Sequence, residues 1–66
     1  MQIQLNGQKE EIKEGTTLKS LLHSKDMNPK VVACELNLKI IRRAQLERVI
    51  LKEGDTLEII RMIGGG

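Results

Sequence analysis

Polar and apolar residues alternate from the start of the chain. Ile3 and Leu5 point to one side and Gln2 and Gln4 to the other, as in a half-buried strand. Asn6-Gly7 follows, and because both positions tolerate positive φ a two-residue hairpin turn is expected there. A second strand then runs from Gln8 to about Ile12, with Leu5 against Gln8, Ile3 against Glu10 and Met1 against Ile12. Glu10 thereby shares a face with Ile3. An edge strand tolerates this, since the long side chain bends to water and its charge discourages edge-to-edge pairing.

Glu14-Gly15 breaks the alternation, and the period then changes. Leu18, Leu21 and Leu22 fall at i, i+3 and i+4, which predicts a short amphipathic helix ending near Lys25, with Thr16 or Thr17 as its N-cap. Asp26 to Pro29 is a loop, with Pro29 blocking helix continuation. Val31 to Leu36 is β-branched and apolar, hence a strand; Asn37 begins a turn, and Lys39-Ile40-Ile41 reads as a short extension. Arg42 to Arg48 contains helix formers for a turn or two, with Leu46 and Val49 facing inward. A turn at Lys52 to Asp55 precedes a final strand from Thr56 to Ile63.

The order is strand, strand, helix, strand, strand. Placing the last strand parallel to the first, in the sheet centre, gives both of them partners. The expected class is therefore α+β: a ubiquitin-like β-grasp with a four-stranded mixed sheet, one main helix and a flexible C-terminal Gly tail. The expected division is a β-grasp domain over residues 1–63 and a glycine tail over 64–66.

Composition narrows the function. A chain of 66 residues is one domain and buries only roughly 60% of its unfolded surface. Cys34 is the only cysteine and His23 the only histidine, so neither a disulfide framework nor a Cys/His metal site supports the fold. The lone thiol fits a reducing, cytoplasmic setting; no apolar run reaches membrane-spanning length, and Met1-Gln2-Ile3-Gln4 is no basic signal-peptide start. Eleven Lys/Arg against nine Asp/Glu is too even to imply nucleic acid, and Phe, Trp and Tyr, the stacking platforms for single strands, are absent. Lys39, Arg42, Arg43 and Arg48 cluster locally, which fits a solvated face better than a phosphate site; a protein-docking patch is the third reading.

No catalytic constellation emerges. His23 lies at the margin of the helix stripe with no serine, carboxylate or cysteine pattern beside it, and Cys34 alternates with Val32 and Leu36 as a small core residue would. Glu10/Glu11 and Glu53/Asp55 fall on a strand edge and in a turn, where nothing sets them as an acid–base pair. Gly64-Gly65-Gly66 opens no helix and so is no phosphate cradle. A terminal glycine run is ordinarily a frayed end. It becomes useful if an enzyme must thread a thin backbone to a terminal carboxylate, with Met62 and Ile63 as an apolar anchor before it. Adenylated by another protein and then attacked by a sulfur donor, the Gly66 carboxylate would become a thiocarboxylate.

These features together resemble the ThiS-type sulfur carriers of thiamine biosynthesis over essentially the whole chain. The residues carrying the resemblance are Met1-Gln2-Ile3 with the Asn6 turn, Gly15-Thr16-Thr17-Leu18 leading to Leu21-Leu22, Ala33-Cys34-Glu35-Leu36-Asn37, Gly54-Asp55 and the glycine end. Two departures stand out. Where the family commonly has Val-Pro-Arg and then a tryptophan, this chain has Ile41-Arg42-Arg43 and Leu46, and Gly64 replaces a frequent alanine.

The resemblance implies a carrier and not an enzyme, with no cofactor bound by this chain. A ThiF-type adenylyltransferase using ATP and Mg would activate Gly66, with Gly64 and Gly65 threading into it. A cysteine desulfurase relay would supply sulfur, and a ThiG-type thiazole synthase would consume it. Partners would dock on the sheet face away from the helix and on the tail root, with Ile59, Arg61, Met62, Ile63 and Arg43 as candidates, each equally readable as ordinary core or surface. Rival readings keep the carrier chemistry for another pathway, as in the molybdopterin-synthase small subunit or tRNA thiolation. Another drops it altogether, for a TGS-type β-grasp interaction module.

Overall fold

Two hairpins frame the sheet, and their turns show why the strands begin and end where they do. The computed structural model describes residues 1–62; Ile63 and the Gly64–Gly66 tail lie outside the described residues. β1 (Gln2–Leu5) and β2 (Gln8–Glu11) pair antiparallel with Ile3 opposite Glu10 and Leu5 opposite Gln8, the register the alternation predicts. Asn6 and Gly7 both take positive φ, 50° and 82°, which matches the twist of the flanking strands. Glu10, on the core side of this edge strand, meets the Lys25 ammonium at 2.9 Å, so its charge is answered by a cation as well as by water.

β3 (Val32–Leu36) and β4 (Lys39–Ile41) form the second hairpin. The sheet therefore has five strands, in the order β2-β1-β5-β3-β4, where the sequence predicts four. Lys39–Ile41 is a separate antiparallel strand and no extension of β3, because Asn37 and Leu38, at φ 51° and 72°, turn the chain back on itself. The last strand, β5 (Thr56–Arg61), lies in the centre, parallel to β1 and antiparallel to β3. It is described through Arg61, with Met62 already beyond it; the expected last residue, Ile63, lies outside the described residues.

The single α-helix, α1 (Leu18–Ser24), is short but well terminated. Thr17 is the N-cap: its hydroxyl accepts from the Ser20 N–H, and the Ser20 hydroxyl accepts from the Thr17 N–H. The other two free amides of the first turn are taken by the distant segment after β4. Leu18 N–H donates to the Val49 carbonyl at 2.9 Å and Lys19 N–H to the Leu46 carbonyl at 3.0 Å. At the other end Asp26 adopts φ 55°, Asp26 N–H returns to the His23 carbonyl, and Met27 N–H returns to the Leu22 carbonyl. This is a Schellman closure, with Met27 half-buried against the core.

Leu18, Leu21 and Leu22 face the sheet and meet Ile3, Val32, Cys34, Leu57 and Ile59, with Leu46 and Leu51 closing the end. Without an aromatic ring, this core of aliphatic side chains and one thiol depends on close packing of many small contacts. Leu46 is 5% exposed and fills its place in the core. Arg42 sits at φ −74° and ψ 148°, a backbone that proline would also adopt. The altered 41–46 stretch thus keeps a proline-compatible path and an inward apolar residue. Arg43–Gln45 form a single 3-10 turn there, within the turn or two at most expected over Arg42–Arg48.

Leu38 is the exception to the chain's local economy. It has the same turn position and positive φ as Gly7, but with a Cβ, and its side chain is 87% exposed. Left-handed backbone costs a non-glycine residue about 1–2 kcal/mol, offset in part by the extra freedom glycine has when unfolded. Leu38→Gly is expected to raise stability by about 1 kcal/mol, read as an increased urea midpoint at unchanged slope.

Candidate functional site

The site centres on the C-terminal end of β5, where the chain leaves the sheet. β5 is held along both edges. On the β3 side the pairing runs from Leu36 opposite Leu57 to Val32 opposite Arg61, and Met62 N–H then donates to the Val31 carbonyl at 2.8 Å. On the other side β1 is shorter and its strand pairing stops at Leu5 opposite Leu57. Asn6 continues the ladder in two ways. Its backbone N–H donates to the Leu57 carbonyl, and its side-chain amide then replaces a missing strand residue. The amide oxygen accepts from Ile59 N–H at 2.8 Å, and the amide nitrogen donates to the Ile59 carbonyl at 3.2 Å.

Asn37 does the corresponding work at the start of β5. Its side-chain oxygen accepts from Thr56 N–H at 2.9 Å, its side-chain nitrogen donates to Asp55 Oδ1 at 3.0 Å, and its backbone N–H donates to the Thr56 carbonyl. One asparagine from each hairpin therefore pins the central strand. The sequence marks both only as turn residues; the pairing of Asn with positive φ was legible, and the second role of the side chain was not.

The expected docking residues separate into two groups. Ile59 is 8% exposed and faces α1, so it is a core residue and does not lie on the sheet face away from the helix. The correction follows from parity: Leu57 and Ile59 point inward, so Thr56, Glu58 and Ile60 point out. Ile60 takes the exposed apolar place assigned to Ile59, and Met62 is 52% exposed, so it is not packed against the body as an apolar anchor would be. Arg61 and Arg43 are both exposed. Ile63, Gly64, Gly65 and Gly66 lie outside the described residues.

The open face has a further character. Glu35 stands directly opposite Glu58 on the neighbouring strand, and on its other side faces Ile40, which is 76% exposed. Ile60 stands opposite Ala33. Exposed apolar side chains thus flank two like charges, an arrangement that costs folding energy and contributes nothing to the core.

At the other side of the tail root, Lys30 and Arg43 line one cleft with Lys19 and Glu47. Lys30 is the residue before Val31, the last backbone partner of Met62. Elsewhere, Cys34 is buried and desolvation pushes its thiol above the ordinary range, away from nucleophilic use. His23 is exposed. Among the described residues no group of three His, Cys, Asp or Glu could hold a metal ion, and no helix is long and apolar enough to cross a membrane.

Comparison with known proteins places this geometry. The ThiS family model matches residues 2–66. The chain belongs to the ThiS family. The solved structure of the thiamine biosynthesis protein ThiS from Geobacter metallireducens superposes with a TM-score of 0.86 at 26% identity, covering 100% of both chains. The sulfur carrier protein ThiS of Bacillus subtilis is 37% identical over 65 residues, 97% of this chain and 98% of its own length. A thiazole synthase of Magnetococcus marinus is 39% identical over all 66 residues. One of Paramagnetospirillum magneticum is 33% identical over the same span. The chain spans only 20% of the length of each of these two enzymes. The ubiquitin-like β-grasp expected from the pattern is the fold shared with the Geobacter ThiS structure.

The Asn6 bridge can be tested apart from its turn. Asn6→Gly keeps the positive φ and removes both side-chain bonds to Ile59, leaving two partly buried backbone groups unpaired. A loss of about 2 kcal/mol is expected in urea unfolding, with faster hydrogen exchange at the Ile59 amide. A midpoint equal to the parent's would show that β5 does not depend on the bridge.

Proposed function

We propose that this ThiS-family chain is a sulfur carrier for thiamine thiazole synthesis and that its working group is the Gly66 carboxylate. The observation that carries the reading is the family match, which runs through the glycine end, on a fold whose central strand leads directly into it. A relative 37% identical over nearly its full length bears the name sulfur carrier protein, which supports the same role here.

The chemistry asks little of the chain's own side chains. A carboxylate oxygen attacks the α-phosphorus of ATP on a ThiF-type adenylyltransferase, and pyrophosphate leaves with Mg assisting. The acyl-adenylate then presents an electrophilic carbonyl. The terminal sulfur of a persulfide carried by a cysteine desulfurase relay attacks it and AMP departs, leaving an acyl disulfide. A second thiol then attacks the relay's sulfur, so that the S–S bond breaks, a disulfide forms on the relay and the thiocarboxylate is released. Gly64 and Gly65 suit this because no side chain obstructs a narrow channel. The chain is a substrate passed between enzymes and not itself a catalyst; ATP and Mg belong to the activating partner.

Thiazole synthase is the proposed receiver. Two relatives of that name contain a segment similar to the whole of this chain within one polypeptide, an arrangement that keeps carrier and enzyme together. Docking would use the open sheet face, where Ile40 and Ile60 are exposed, and the root at Met62 with Arg61 and Ile63 beside it. A reducing, cytoplasmic setting fits a chain whose one thiol is buried in the core.

Intact-mass measurement after incubation with such an adenylyltransferase, ATP and a sulfur source is the test. A gain equal to the difference between sulfur and oxygen is expected, confined to the C-terminal peptide. Deleting Gly65 and Gly66, or adding one residue after Gly66, should abolish it while circular dichroism stays unchanged. Equal modification of the truncated protein would refute the reading.

A further inference from the structure

A cleft of about 300 Å³ opens between α1, the 3-10 turn Pro29–Val31 and the 3-10 turn Arg43–Gln45. Each of the three elements contributes one cation to its wall: Lys19, Lys30 and Arg43. The one carboxylate there, Glu47, meets Lys19 at 3.4 Å, with both side chains more than half exposed, so the pair is loose and screened. Pro29, Ala44 and the buried Leu46 supply apolar surface between the charges.

Charge bookkeeping makes the cleft distinct from the rest of the surface. It holds three of the chain's eleven Lys/Arg and one of its nine Asp/Glu, which leaves eight of each elsewhere. The cleft thus accounts for the whole formal excess of +2. Two of its walls are tied together, and the turn that carries the third cation is braced locally. Lys19 N–H donates to the Leu46 carbonyl, and Asn28 Oδ1 accepts from Lys30 N–H at 2.9 Å. Three cations thus line one apolar floor, an arrangement that carries mutual repulsion and that folding alone does not require.

Position narrows the occupant to an enzyme that receives the tail, and the thiazole synthases that contain a segment similar to this chain favour that one. Val31, next to Lys30, is the last backbone partner of Met62, so an enzyme that receives the tail passes beside this cleft. We infer that the cleft is a docking slot for an acidic segment of thiazole synthase, one pairing Asp or Glu with an apolar side chain. The carboxylates meet Lys30 and Arg43 over the Leu46 floor, while the tail runs onward to the active site. This rests on the carrier reading above and adds a second contact, separate from the open sheet face. Lys19 and Lys30 become part of the interface, though spacing in the sequence does not connect either of them to Arg43.

The experiment is calorimetric titration of the full chain into purified thiazole synthase from the same organism across a series of sodium chloride concentrations. Lys30→Glu and Arg43→Glu are the cleft variants, and Lys9→Glu, on the far edge strand β2, is the control; circular dichroism verifies that all three fold. Each cleft variant is expected to weaken binding about tenfold or more and to flatten its salt dependence, with less than a twofold change for the control. Unchanged affinity and salt slope in both cleft variants would overturn the slot while leaving the carrier reading intact. A wild-type chain that does not bind thiazole synthase at all would overturn the slot together with the choice of receiver.

Discussion

The structure depends on holding β5 in the middle of the sheet. That strand has no hairpin partner of its own: β1 lies more than fifty residues earlier in the chain, and β3 is reached across the segment from Leu36 to Thr56. Such non-local pairings have to repay a loop-closure cost before they stabilise anything. The two asparagine side chains meet this demand at the places where strand backbone runs out. Asn6 extends the β1 edge by two hydrogen bonds to Ile59, and Asn37 fastens the first residue of β5 to the opposite hairpin. Both occupy positive-φ turn positions, so one residue type at each hairpin satisfies the turn and the central strand together.

The helix is tied into the same scheme. With seven residues it is too short to be stable by itself, and it survives by burying Leu18, Leu21 and Leu22 and by having its free amides answered. Two of those answers come from the Leu46 and Val49 carbonyls, and Leu51 N–H returns to the Thr16 carbonyl. The irregular stretch between β4 and β5 is consequently the helix's N-terminal cap as well as a connection. This explains how the altered 41–46 sequence is accommodated. What the fold requires there is an inward apolar side chain and carbonyls at the right places, and Leu46 with its neighbours supplies both.

Much of this was legible from residue patterns, and the misses have physical causes. The first hairpin and its register followed from alternation plus Asn6-Gly7, and the helix from three leucines behind a threonine cap. The fifth strand was hidden because Asn37-Leu38 lacks the glycine that usually announces a two-residue turn; Leu38 accepts the strained conformation anyway. Ile59 belongs inside by a parity that the residues themselves carry: polar Thr56 and Glu58 alternate with it, which sends Ile59 inward and Ile60 out. The grouping of Lys19, Lys30 and Arg43 is different. It comes from the tertiary placement of three separate elements, and no local pattern encodes it.

The pinned strand also constrains what a partner can be. If Gly66 carries the working carboxylate, it stands four residues beyond Met62, and four fully extended residues reach about 14 Å at most. On the proposed reading, the reacting carbon of Gly66 is therefore confined to a short radius around a fixed exit point. Any enzyme that brings its active site within that radius must lie against the molecule's surface near the root. Two surfaces there have features that folding alone does not account for. One is the open sheet face, with exposed Ile40 and Ile60 around the facing Glu35 and Glu58; the other is the cationic cleft beside Lys30. They differ in charge, so a partner that used both would need a basic contact for the first and an acidic one for the second. Such a two-signed requirement discriminates against wrong partners more strongly than an apolar patch would. On that reading, a carrier whose tail chemistry is generic would obtain its specificity from the body behind the tail, and the pinning of β5 would transmit that specificity to the reacting end.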